Sequence, residues 1–170
     1  RKMKPVVHLR DYRVPAWRID TCELEFDLGA ESTQVLARLA VIQDPLQKDV
    51  ELRLDGVDIE LISVRVDGRE LQAGEYRIES DALVLPGLRG QAMLETLSRI
   101  RPLRNKALQG LYVSGGVEWG FLLTQCEAEG FRHITWSIDR PDVLTRYTVT
   151  LRADRARFPI LLAGGDPDGA

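Results

Sequence analysis

From residue 19 onward the chain alternates. Between residues 19 and 28, Cys22, Leu24, Phe26 and Leu28 take turns with Thr21, Glu23, Glu25 and Asp27. Successive side chains leave a strand on opposite faces, so this spacing predicts a strand with one dry face and one wet face. Residues 32–43 repeat the pattern, with Val35, Ala37, Leu39 and Val41 set against Gln34, Leu36, Arg38, Ala40 and Ile42. Here the second face is partly apolar as well, which predicts cover on both sides. A helix stays open for this segment, although Val and Ile favour strand.

The punctuation between the alternating runs is equally regular. Asp44-Pro45 breaks the second run, residues 50–54 alternate up to the turn dipeptide Asp55-Gly56, and Asp67-Gly68 joins residues 58–66 to 69–71 as a two-residue hairpin. In residues 58–66 the apolar phase slips near Ile62, which predicts a bulge. Residues 76–79 and 82–85 flank Ser80-Asp81 as a second hairpin, Pro86-Gly87 follows, and residues 92–100 alternate again. Strands joined by short turns at this spacing predict an all-β fold, mostly antiparallel, in place of βαβ units. A chain of 170 residues is long enough for one well-cored domain and short for two, so residues 1–170 are expected to form a single β domain.

Three segments depart from alternation. Residues 1–19 read as an irregular lead-in, with Pro15 pushing Val14 to an extended conformation. Residues 110–120 are glycine-rich and invite a phosphate-loop reading. They lack the Gly-Lys-Ser/Thr ending and no helix is signalled after them, so a turn between two strands is expected. After Gly130, residues 131–134 lose the two-residue period and predict one helical turn. Residues 139–144 predict a second, with Pro141 at its first position and Asp139 as its cap. Residues 145–153 return to alternation, with Tyr147, Val149 and Leu151 on one face, and residues 157–162 read as a last apolar strand. Residues 164–169 are turn-forming, and a stop there suggests a truncated boundary.

The bulk numbers narrow the function. A formal net charge of -3 makes no electrostatic case for nucleic acid or an anionic membrane surface. No apolar run approaches a bilayer span and no signal core follows residues 1–5, so a cytoplasmic protein is expected. Cys22 and Cys126 are expected as buried thiols. Cys126 and His133 match no usual zinc spacing, and this chain is not expected to build a metal site alone.

The densest chemistry lies in Thr124-Gln-Cys-Glu-Ala-Glu-Gly-Phe-Arg-His-Ile-Thr135, followed by Asp139-Arg-Pro-Asp-Val-Leu144. In an extended backbone Gln125 and Glu127 leave the same face, and a carboxylate beside an amide oxygen suits a cation with several N–H donors. The plainer reading, polar decoration at a strand end, stands beside it.

This stretch resembles the signature of bacterial aminopeptidase N, a large zinc exopeptidase family of the His-Glu-x-x-His type. Asp11-Tyr-Arg-Val-Pro15, Leu52-Arg-Leu-Asp-Gly56, Leu61-Ile-Ser-Val64, Asn105 with Ala107-Leu-Gln-Gly-Leu-Tyr112, and Phe158-Pro-Ile-Leu-Leu162 agree in order along the chain. The resemblance implies the saddle-like N-terminal β domain of a four-domain enzyme that removes N-terminal residues from peptides. The zinc helix, its distal glutamate and the Gly-Ala-Met-Glu-Asn exopeptidase loop belong to the next domain, and none of those motifs occurs here. The implied cofactor is zinc in the larger enzyme and none in this piece, which alone would cleave nothing.

The resemblance further implies that Gln125 and Glu127 help hold the free α-amino group of the peptide substrate. An ammonium has three donors and no acceptor, so about three oxygens including a charge hold it best. This chain would supply two, and a glutamate of the exopeptidase loop the third. Such a clamp sets the scissile bond one residue from the amine, within reach of a zinc-activated water. Glu129, Arg132 and His133 are expected as structural, with Glu129 paired to Arg132, and Cys126 as a small filler turned to the core. Residues 117–123 look longer than the family's usual run, with Leu123 where a Cys is common, which leaves the loop geometry beside the cleft open.

The implied partners are the substrate peptide and the remaining aminopeptidase domains. Cut from those neighbours, the piece is expected to expose an apolar and acidic face around Gln125 and Glu127, and to self-associate through it or through a strand edge. The alternative is a stand-alone β-sandwich binding or scaffold module.

Overall fold

The alternating runs become strands. The computed structural model describes residues 8–116, 120–127 and 129–168. In chain order the strands are β1 (Trp17–Leu28), β2 (Thr33–Gln43), β3 (Leu52–Asp55), β4 (Glu60–Val66), β5 (Arg69–Glu70), β6 (Arg77–Ile78), β7 (Ala82–Leu85), β8 (Gln91–Ile100), β9 (Gly110–Ser114), β10 (Phe121–Gln125) and β11 (Arg146–Ala153). They form a six-stranded sheet in the order β11-β1-β2-β8-β4-β5, a three-stranded sheet β3-β7-β6, and the hairpin β9-β10. The fold is all-β and mostly antiparallel, as the spacing predicts. One pair differs: β11 runs parallel to β1, with Thr21 opposite Arg146 and Leu28 opposite Ala153.

The core lies between the two larger sheets. Cys22 and Leu24 of β1, Val35, Ala37, Leu39 and Val41 of β2, Val64 of β4 and Leu94 of β8 pack with Leu52 and Leu54 of β3 and Leu83 and Leu85 of β7. The bulge expected near Ile62 is present, as the β4/β8 register shifts between Leu61 and Ser63. A second shift, between Ile19 and Thr21, lets Trp17 and Ile19 share the buried face with Cys22 and Leu24. The Asp67-Gly68 hairpin forms with both residues at positive φ, 49° and 82°, the pairing that matches strand twist.

Segment 32–43 is a strand, and its second face is half-buried beneath a row of ions. Arg152 pairs with Glu25 at 2.8 Å, Glu25 with Arg38 at 2.7 Å, and Arg38 with Glu95 at 3.0 Å. Arg65 continues the row to Glu95 and to Glu70, both at 3.6 Å. The row crosses all six strands. Each pair is exposed enough to contribute little alone, yet opposite charges on facing strands favour this register over a slipped one. The two guanidinium groups hold the Glu25 carboxyl below its usual range, Arg38 first.

The helical expectations divide. Residues Phe131–His133 form a single 3-10 turn, the helical turn expected after Gly130, and among the described residues two further 3-10 turns occur at Leu9–Asp11, inside the lead-in read as irregular, and at Pro102–Arg104. Residues 139–144 form one turn, closed by Val143 N–H on the Arg140 carbonyl, and no helix, and Asp139 does not cap it because its carboxylate is taken by Arg132. Residues 157–162 are not a strand. Phe158 is partly covered, while Ile160, Leu161 and Leu162 stay exposed, and the segment joins no ladder. Tyr147 and Val149 of β11, on the face they were expected to share with Leu151, are also exposed. Residues 117–119, inside the glycine-rich run, lie outside the described residues; the segments on either side pair as strands, with Ser114 opposite Phe121.

Leu39 is fully buried at the centre of β2. Leu39→Ala should cost about 2–5 kcal/mol of unfolding free energy, read as a lower urea midpoint at unchanged slope. A loss below about 1 kcal/mol would contradict its place in the core.

Candidate functional site

Gln125 is the last residue of β10, and Glu127 is not on that strand. The ladder ends where Gln125 faces Gly110, and the chain turns at once, with Gly130 N–H donating to the Cys126 carbonyl at 3.1 Å. The expectation that an extended backbone carries both side chains on one face is therefore corrected. Gln125 leaves a strand end and Glu127 leaves a turn, and both are exposed. Ala128 lies outside the described residues.

Each side of this turn is anchored. On the strand side, Gly110 takes φ +73°, and a Cβ there would lie 2.5 Å from Cβ of His133, so only glycine lets β9 approach the 3-10 turn this closely. The loop before it is shaped by Asn105, whose amide donates to the Gln109 and Leu111 carbonyls at 2.7 and 3.0 Å and whose oxygen accepts from Ala107 N–H.

On the other side, residues 131–139 close on themselves. The Asp139 carboxylate accepts from Arg132 N–H at 3.1 Å and from Arg132 Nε at 2.9 Å, and Arg132 Nη2 donates to the Asp139 carbonyl at 3.0 Å. This loop is then stitched to β3. Asp55 and Ser137 exchange backbone hydrogen bonds at 2.7 and 3.1 Å, Val57 N–H donates to the Arg132 carbonyl at 2.9 Å, and Asp139 N–H donates to Asp55 Oδ2 at 3.1 Å. Ile134 and Trp136 are thereby carried into the core. Trp136 lies against Gly56, where any Cβ would collide with the indole.

Arg132 is thus structural, with Asp139 as its ion-pair partner at 2.9 Å and the Glu129 charge acting on it electrostatically. His133 packs under Gly110 and borders a second cavity of about 690 Å3. Cys22 is buried and Cys126 only half-buried, both as free thiols, and burial pushes Cys22 up to about 12. Cys126 packs against the core cluster, as a small filler should.

Beside the turn lies an apolar groove of about 800 Å3, lined among others by Leu123, Cys126, Tyr147, Val149, Ile160 and Leu161. Phe131 sets its ring edge-on to Tyr147 at 5.7 Å, which ties the floor of the groove to the 3-10 turn. Among the described residues no three or more His, Cys, Asp or Glu side chains group to hold a metal ion, and no helix is long and apolar enough to cross a membrane.

The site is thus an exposed amide and an exposed carboxylate beside an apolar groove, on an all-β fold. Residues 24–167 match the Peptidase M1 N-terminal domain, and the chain belongs to that family. It is 45% identical over 161 residues to aminopeptidase N of Caulobacter vibrioides, covering 95% of this chain and 18% of that protein. It is 42% identical over 156 residues to aminopeptidase N of Escherichia coli, covering 92% of this chain and 17% of that protein. Among solved structures, Legionella pneumophila aminopeptidase A in complex with aspartic acid superposes with a TM-score of 0.80 at 30% identity, over 92% of this chain and 18% of that one. The M1 zinc metallopeptidase of Deinococcus radiodurans, at 13% identity over 81% of this chain and 32% of that one with a TM-score of 0.62, shares the fold. The chain thus spans less than a fifth of the length of the aminopeptidase N relatives it matches.

Asp55 is the site residue that sequence reasoning did not single out. Burial pushes its carboxyl above the usual range, while the Asp139 N–H and the Arg132 charge work the other way. A carboxyl whose folded pKa exceeds its unfolded one contributes stability below the unfolded value and loses it as pH rises through the folded value. Asp55→Asn keeps an oxygen for the Asp139 N–H and removes that loss. Urea titrations on either side of the carboxylate range should show the variant gaining on the natural chain as pH rises; a gain towards acid would contradict the assignment.

Proposed function

We propose that this chain is the N-terminal β domain of a zinc aminopeptidase and supplies part of the clamp for the α-amino group of the peptide substrate. The observation that carries the reading is the exposed pair Gln125 and Glu127 at the end of β10, in a member of the M1 N-terminal family. The Gln125 side-chain oxygen and the Glu127 carboxylate would each accept from the substrate ammonium, and a charged acceptor roughly doubles the strength of such a bond. Their arrival from a strand end and a turn suits a roughly tetrahedral donor, which is better met from different directions than from one flat face.

Within this reading the residues 1–170 are one domain, and the zinc and the third oxygen belong to the rest of the enzyme. In this reading the chain carries no step of hydrolysis. Its own part is to hold the amine, and so to orient the peptide. The apolar groove beside Gln125 is the face that packs on the catalytic domain, and it leaves the isolated chain prone to self-association. The enzyme works in the cytoplasm on peptides with a free N-terminus.

In the full-length enzyme, Glu127→Ala should raise KM and lower kcat/KM for aminoacyl substrates by about ten- to hundredfold, the value of a hydrogen bond to a charged group. The isolated chain should release nothing from the same substrates. Normal turnover by the Glu127 variant would remove the clamp role.

A further inference from the structure

We propose that Asp139, acting with Arg132 and Asp55, is a positioning residue for the substrate-amine clamp. The inference rests on the clamp reading of Gln125 and Glu127. Glu127 sits in a turn, so no ladder holds it directly, and its place is set by what holds the turn's two ends. One end is Gln125, paired with Gly110. The other is the 3-10 turn Phe131–His133, fastened by Arg132 to Asp139 and by Asp139 N–H to Asp55.

The two ends also touch each other. Gly110 lies opposite Gln125 and against His133, so a shift of the 131–139 loop displaces β9 and the end of β10 together. A continuous path of contacts therefore runs from Asp55 through Asp139, Arg132, His133 and Gly110 to Gln125. The Arg132–Asp139 pair suits such a task. It is partly buried, with side chains 23% and 14% exposed, and Arg132 donates all three of its bonds: Nε and the backbone N–H to one carboxylate oxygen, and Nη2 to the Asp139 carbonyl. A fork held at both nitrogens fixes orientation as well as distance, which a lysine ammonium does not. Misplacement of the clamp by about 1 Å takes its hydrogen bonds to the amine out of their normal distance range, which weakens binding.

The test uses the full-length enzyme with Asp139→Ala, Asp139→Asn and Arg132→Lys, each checked for native circular dichroism, beside Glu127→Ala as reference. Asp139→Ala should raise KM for aminoacyl substrates about tenfold with kcat per folded molecule changed about twofold at most. Asp139→Asn, which keeps an oxygen for the Arg132 N–H groups, should recover most of that loss. A folded Asp139→Ala enzyme with unchanged KM, while Glu127→Ala is impaired, would overturn the positioning role and leave the clamp standing. An unimpaired Glu127→Ala enzyme would overturn both. Should Asp139→Ala not fold, Arg132→Lys decides the matter, since it keeps the charge and loses the fork: a raised KM supports the role and a normal KM overturns it.

Discussion

The attachment of residues 131–139 to β3 is the constraint on which the rest of the candidate site depends. A loop that carries Ile134 and Trp136 into a core brings its backbone N–H and carbonyl groups with it, and each would be costly if left unpaired. Asp55 meets that demand twice, by exchanging backbone hydrogen bonds with Ser137 and by accepting the Asp139 N–H on its carboxylate. Gly56 leaves room for the indole at the same point. With the loop seated there, His133 lies beneath Gly110, and the hairpin β9-β10 is set against it. The direction in which Gln125 and Glu127 are presented follows from a contact on another sheet.

The six-stranded sheet supplies the frame by a different means. Its buried face is a plain two-residue alternation, and its outer face carries the ion row from Arg152 to Glu70. The buried face provides the stability, since apolar area removed from water contributes far more than exposed ion pairs. The outer row discriminates among registers, because a slip by one residue would turn Glu25, Arg38 and Glu95 toward the buried face. At one edge the parallel strand β11 brings Tyr147 beside Phe131, so the groove and the 3-10 turn share a wall.

Much of this was legible in the residues. The period of two marked the long strands, the slip near Ile62 marked the bulge, and Asp67-Gly68 marked a hairpin whose two turn residues do adopt positive φ. Residues 157–162 show where local pattern runs out. Their apolar character was plain, but a strand also needs a partner edge, and this segment joins no ladder. Residues 139–144 fail for a related reason: Asp139 has a cap's side chain, but Arg132 holds its carboxylate. The pairing of Gln125 with Glu127 on one face presumed a strand two residues longer than the one that forms.

The sequence by itself determined the fold class, the run of strands and the family, because alternation, turn dipeptides and a specific motif are properties of neighbours along the chain. It also marked Gln125 and Glu127 as the residues to watch. Only the tertiary structure decided how they are presented, that β11 runs parallel to β1, and that Asp55 holds the loop behind them. Asp55 and Asp139 are 84 positions apart. No spacing rule reaches that far, since what joins them is a set of hydrogen bonds formed where both segments enter the same core.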